Sequence, residues 1–262
     1  MQSLSLRQQT ILNRVVEMHI ETGEPVGSRS VTLVFRDLYR DTYSPATVRH
    51  EMGCLEALGF LTHPHISAGR VPTDSGYRFY VEHGLRQEDL PRDFTRVCAE
   101  NLTAVSEDRD GFEEKTSRTL SDYSEEASIL LVPLPEGRKR PRVGDFRLMM
   151  SGVSRILEKP EFRDIRKVRD LFRVFEEKAE LIEWLTQETV RRKQATIRIG
   201  KENKPKAFQD CTVVSATYAS GPERTGVVAV IGPRRMRYSR TIPVVERIRD
   251  LMEEFFRHAS GE

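Results

Sequence analysis

The chain has 262 residues, 38% of them apolar and 31% charged, and its 42 basic and 40 acidic side chains leave a formal net charge of +2. That length suits one large domain or two modest ones, and the composition is that of a globular protein with a heavily charged surface. Near-balanced charge excludes a chain that is basic throughout, so any nucleic-acid contact must rest on a local patch. No stretch approaches the roughly 18 apolar residues of a membrane-spanning helix, so no membrane partner is expected. The opening MQSLSLRQQTIL lacks the charged start, apolar centre and cleavage site of a signal peptide. Cys54, Cys98 and Cys211 are scattered and odd in number, as in a reducing compartment, and the expected location is cytoplasmic.

Residues 1–86 hold nine arginines, no lysine and nine acidic residues, and they are strongly punctuated for helices. Leu6, Ile11, Val15, Met18 and His19 follow one side of a first helix, which Gly23 stops. A short second helix from Gly27-Ser28 buries Val31, Val34 and Phe35. Ser44 is a good N-cap, and Pro45 at the first helical position loses no needed N–H. Val48, Met52, Leu55 and Leu58 then form an apolar stripe that ends at Gly59. Phe60 to Thr62 reads as a short strand, His63 to Gly69 as a polar turn and Arg70-Val71 as the return strand. Three helices followed by a hairpin is the order of a winged helix-turn-helix. Thr73 to Gly76 caps a further helix carrying Tyr77, Phe79, Tyr80 and Val81.

Residues 87–115 are polar and acidic and read as a linker in which 94–105 have helical character. The remainder, 116–262, reads as a second domain of α+β type. An amphipathic helix over 116–127 leads to a buried strand from Ile129 to Val132, and the basic loop 137–142 follows. Helix is predicted over 161–193 with Leu171, Phe175, Leu181 and Leu185 inward. Strands are predicted at 195–199, 211–218 and 226–231, and a closing helix from Pro243 to His258.

The chemistry concentrates on the helix that begins at Pro45. At 100° per residue, Ala46, Arg49, His50, Gly53 and Ala57 lie opposite Val48 and Met52. Two long donors among three very small residues let a helix approach a surface closely. The major groove admits a helix in this way, and arginine donates two hydrogen bonds to guanine. Ser44 and Thr47 stand at the helix start, within reach of a base or phosphate. The alternative is a solvated face with helix-forming alanines. His65, Ser67 and Arg70 give the hairpin a basic, hydroxyl-bearing tip suited to phosphates or the minor groove. His63 and His65 lack the further ligands of a metal site, and no cofactor is expected. Arg29 reads either as a phosphate clamp or as a surface arginine paired with a carboxylate. No HExxH, CxxC, G-x-S-x-G or phosphate loop occurs, and an enzyme is not expected.

The stretch from Glu21 to Tyr80 closely resembles the N-terminal domain of the HrcA family of heat-inducible transcription repressors. The residues that carry this are E-T-G-E-P-V-G-S-R (21–29), S-P-A-T-V-R (44–49), L-E-A-L-G-F-L (55–61) and H-I-S-A-G-R-V-P-T-D-S-G-Y-R-F-Y-V (65–81). A second block is similar to the family's C-terminal part: P-E-F-R-D (160–164), I-G-K-E-N (199–203) and G-V-V-A-V-I-G-P-R-R-M-R-Y (226–238). The resemblance implies a homodimer on an inverted-repeat operator of double-stranded DNA ahead of chaperone genes, released on heat stress. It also implies a GAF-like C-terminal domain with an inserted dimerising domain, and support from a GroEL-type chaperonin. The chain departs from the family at His50-Glu51, where Asn-Asp is usual. Its short stretch 134–150 also stands where relatives carry several GAF strands and the whole insert. The expected architecture is therefore a winged helix-turn-helix followed by a reduced GAF-like α+β domain. Residues 116–262 are left as the dimer holder, with 161–193 and the closing helix around Leu251, Phe255 and Phe256 as its contact surfaces. An alternative makes the GAF-like half a small-molecule sensor, with strands 211–218 and 226–231 lining a pocket and Arg234 to Tyr238 at its mouth.

Overall fold

A computed structural model describes residues 4–39, 43–65, 68–103, 109–134, 143–188, 194–221 and 224–259. They form two compact units, Met1–Arg86 and Gln87–Glu262. The basic loop 137–142 and Ser67 lie outside the described residues.

The first unit opens with α1 (Leu6–Thr22), whose N-cap Ser5 and Gln8 satisfy each other's backbone N–H groups in a capping box. Gly23 ends it at φ 72°, donating its N–H to the His19 carbonyl. The buried stripe is Ile11, Leu12, Val15 and Val16. Leu6 is 80% exposed, against the sequence expectation, because the helix starts at that residue and Leu4 turns into the core instead. Next come α2 (Ser28–Tyr39), which buries Val31 and Phe35, and α3 (Pro45–Ala57). The α3 stripe of Val48, Met52 and Leu55 is fully buried, but Leu58 is 39% exposed. Leu58 is the C-cap rather than a helical residue, and Gly59 then reverses the chain at φ 81° before Leu58 can complete the stripe.

The hairpin pairs β1 (Leu61–Thr62) with β2 (Val71–Pro72), Leu61 opposite Pro72. Thr73 caps α4 (Asp74–Phe79), which runs on into a wider turn, Tyr80–Gly84. Tyr77 and Tyr80 are buried, and the Tyr77 hydroxyl meets His19 Nδ1 at 2.7 Å, tying α4 to α1.

The second unit begins with α5 (Arg92–Thr103) and α6 (Arg109–Ser124). The linker expected over 87–115 is thus largely helical. Phe94, Cys98 and Phe112 are buried, so these helices pay their ordering cost through a thin apolar seam that polar composition hides. The four strands expected here become five, with β4 the addition: β3 (Ala127–Pro133), β4 (Phe146–Ser151), β5 (Thr196–Ile199), β6 (Cys211–Ala219) and β7 (Thr225–Pro233). They form one antiparallel sheet in the order β4-β3-β7-β6-β5. Between β4 and β5 lie α7 (Ser154–Glu158), α8 (Ile165–Glu176) and α9 (Lys178–Glu188); the single helix expected over 161–193 breaks at Glu177, and residues 189–193 are outside the described set.

The sheet is core on both faces. Ile129, Leu131, Val213, Val227, Ala229 and Ile231 pack with Ile156, Leu171, Phe175, Leu181 and Leu185 from α7, α8 and α9. The alternate residues of the same strands pack beneath α6 and α10 (Tyr238–Ala259). There Phe112 stacks on Phe255, and Tyr218 on Phe256. The closing helix begins five residues before Pro243. Proline cannot donate to the Ser239 carbonyl one turn back, and that carbonyl accepts the Glu88 N–H at 2.9 Å instead.

Candidate nucleic-acid interface

The first unit brings most of its sequence-predicted site residues to α3 and the hairpin. Ser44 accepts the Thr47 N–H at 3.1 Å, and the two hydroxyls lie 2.9 Å apart, so both serve the helix start. From there Ala46, Arg49, His50 and Ala57 are exposed along the outside of α3, with Gly53 half-buried among them. Among the described residues Arg49 has no hydrogen-bond or ion-pair partner, and neither has Arg29, exposed in the first turn of α2. An unpaired guanidinium keeps its full donor set for an incoming acceptor. His50 Nε2 lies 3.8 Å from the Cys54 sulfur one turn on. His65 is exposed beside the hairpin turn.

Arg70 stands on the loop side of the paired strands, directly before Val71, and it bridges to Val26 through two backbone hydrogen bonds of 2.9 Å. Gly69 lets the strands close this far, since a Cβ there would stand 2.5 Å from the Val26 carbonyl oxygen. The Arg70 side chain reaches back to α3, where its Nε donates to Glu56 Oε2 at 3.0 Å and its Nη2 lies 4.0 Å from the Cβ position of Gly53. Glu56 also pairs with His63 Nδ1 through its other oxygen. Glu56 was not singled out by sequence, although its spacing of seven from Arg49 puts both on one edge of the helix. On the opposite edge, Arg7 stands over the Tyr43 ring at 5.6 Å and pairs with Glu51 at 3.4 Å.

In the second unit, two of the three arginines that the sequence offered as a pocket mouth are held in ion pairs, and Arg237 is exposed. Arg234 pairs with Asp210, Arg235 with Glu161, and Met236 and Tyr238 are buried. The strands between them are core on both faces. Asn203 donates to the carbonyls of Gly200, Phe208 and Cys211 and so knits the turn from β5 to β6. Leu251, Phe255 and Phe256, expected at a dimer surface, are instead buried in the unit's own core. Among the described residues no helix is long and apolar enough to cross a membrane, and no group of three or more His, Cys, Asp or Glu is placed to hold a metal ion.

The fold defines an α+β protein in which a small helical unit with a hairpin precedes a larger unit built on one antiparallel sheet. The family model described as the HrcA protein C terminal domain matches residues 101–242. The chain belongs to the HrcA family. It is 30% identical to the heat-inducible transcription repressor HrcA of Geobacter sulfurreducens over 334 aligned positions, which cover 94% of this chain and 96% of the relative. Against the repressor of the same name from Shouchella clausii it is 29% identical over 343 positions, covering 94% and 96%. Both alignments are longer than the 262 residues of the chain, so the relatives carry segments that it lacks. A crystal structure of a hypothetical protein superposes with a TM-score of 0.72 at 21% identity, covering 97% of this chain and 99% of that one, and shares the fold.

Proposed function

We propose that this chain is a sequence-specific DNA-binding repressor of heat-shock genes. In this reading residues 1–86 are a winged helix-turn-helix, with α3 as the reading helix and the β1–β2 hairpin as the wing. The observation that carries it is the outer face of α3, where Arg49, exposed and without a partner among the described residues, stands with His50 among Ala46, Gly53 and Ala57. Small residues permit close approach to the major groove, and the two donors meet base edges there. Arg29, at the positive end of α2, contacts a phosphate, and Thr47 with its capping partner Ser44 lies beside the next one. His65 and Ser67 belong to the wing. The heat-inducible repressor relatives support the function as well as the fold.

A unit with balanced charge makes few phosphate contacts, so one copy binds weakly. Two copies joined on an inverted repeat gain about 10²–10⁴ in affinity, because the second contact becomes intramolecular. The GAF-like second unit is the holder in this proposal, and α8, on which Ile165 is 80% exposed, keeps apolar surface for a second copy. Release on heat stress and support from a GroEL-type chaperonin complete the reading. Selection of bound duplexes from a random pool tests it: an inverted repeat with half-sites about one helical turn apart, or a multiple, is expected. Light scattering of the full chain should report a dimer. A monomer that enriches no sequence overturns the proposal.

A further inference from the structure

We infer that Glu56 is a positioning residue for DNA recognition: it holds the Arg70 guanidinium on the edge of α3, making Arg70 a second reading arginine beside Arg49. This deepens the DNA-reading proposal and rests on it. Arg70 is immobilised from both ends. Its N–H and C=O are both spent on Val26, and its Nε on Glu56 Oε2 at 3.0 Å. Those bonds leave the terminal Nη1 and Nη2 without a hydrogen-bond or ion-pair partner among the described residues. That free pair is the fork that matches guanine O6 and N7. Its Nη2 lies 4.0 Å from the Cβ position of Gly53, and a glycine there leaves the space on the helix surface open.

The helix spacing makes the arrangement coherent. Arg49, Gly53 and Glu56 stand at i, i+4 and i+7, along one edge of α3. Arg70 fills the gap that glycine leaves in that row. Without Glu56, two arginines on one edge would repel, and the Arg70 side chain would swing toward whichever phosphate lay nearest. The pair is partly shielded, with side chains 17% and 27% exposed, so the carboxylate acts on the guanidinium more strongly than a fully solvated one. His63, on the second carboxylate oxygen, restrains Glu56 in turn. A carboxylate this close to a DNA-facing surface also repels phosphates. It therefore lowers binding to every sequence alike and preserves the difference between the right site and the wrong one.

The test uses the full chain with its selected duplex and a scrambled duplex, titrated over a range of salt. Glu56→Gln keeps the length and an acceptor for Arg70 Nε but removes the charge, and Glu56→Ala removes both. Both should tighten binding to the scrambled duplex, steepen the salt slope there by about one unit and lower the specific-to-scrambled ratio about tenfold. Arg70→Ala should lower the same ratio, and adding Glu56→Ala to it should lower the ratio no further. Equal melting temperatures identify variants that remain folded, and Glu56→Gln carries the test if Glu56→Ala does not. A ratio unmoved in folded Glu56 variants, or additive losses in the double variant, overturns the inference while leaving the DNA-reading proposal standing. A wild-type ratio of one overturns both.

Discussion

Val26 and Arg70 exchange both of their backbone hydrogen bonds, each of 2.9 Å, and so pin the returning arm of the hairpin loop to the segment that leads into α2. The closeness of the two strands depends on Gly69, whose missing side chain leaves room for the Val26 carbonyl. Gly69→Ala should therefore destabilise the first unit by about 1–3 kcal/mol, since backbone rather than a flexible side chain must yield. Thermal unfolding of residues 1–86 and of its variant measures this. An unchanged midpoint would show that the bridge opens freely.

On α3, two substitutions should separate stability from recognition. Arg49→Ala should cost roughly 1–3 kcal/mol on the selected site and much less on scrambled DNA, with no change in melting. Gly53→Ala should raise stability by about 0.5–1 kcal/mol, because alanine suits a helix interior better and its Cβ meets nothing closer than Arg70 Nη2 at 4.0 Å. Its binding to the selected site should nonetheless weaken, as the added methyl holds the helix away from the groove. Equal losses on both DNAs for Arg49→Ala would reduce that residue to a phosphate contact.

Glu126 supplies a pH dependence in the second unit. It is 3% exposed, pairs with Lys159 at 3.3 Å, and leaves its other oxygen without a hydrogen bond. Burial pushes its carboxyl up to about 7 despite the neighbouring Lys159 and Arg235, with Glu125 adding to the rise. A carboxyl raised in the folded state holds its proton there after the unfolded chain has lost it. Its contribution is fully present below about 4.5 and is lost as pH rises to about 7, amounting to something on the order of 3 kcal/mol. Glu126→Gln should flatten the stability curve between those limits. Denaturant midpoints at several pH values decide it, and parallel curves for both proteins would exclude Glu126 as the source.

The three cysteines should differ in reactivity. Cys98 and Cys211 are fully buried, and desolvation pushes their thiols up to about 11 and about 12. Cys54 is half-buried on α3 beside His50. Brief alkylation of the native protein near pH 8, read by mass spectrometry, should label Cys54 alone, and unfolding should expose all three. Labelling of Cys54 should also weaken DNA binding, since it adds bulk next to His50. Equal labelling of Cys211 in the native state would contradict the packing of β6.

Features that depend on neighbours within one helical turn are legible in the chain itself. Ser44 and Pro45 announce the start of α3, Gly23 and Gly59 announce helix ends, and the spacing of Val48, Met52 and Leu55 separates its buried face from its outer one. Capping and periodicity act over three or four residues, so they are written locally, and the strands rich in Val and Ile are legible for the same reason. Which distant groups meet is settled by packing in three dimensions. Leu6 and Leu58 fit an apolar pattern yet fall at helix termini that face water. Phe94, Cys98 and Phe112 look diluted by charge, but they find a common core that makes helices of the expected linker. Arg70 reads as a wing-tip cation until Val26 captures its backbone and Glu56 its side chain, and Glu126 is an ordinary carboxylate until the sheet and α7 close over it. In each case local preference is worth a fraction of a kcal/mol to about one, whereas burial and pairing against a distant partner are worth several, so the long-range contact prevails.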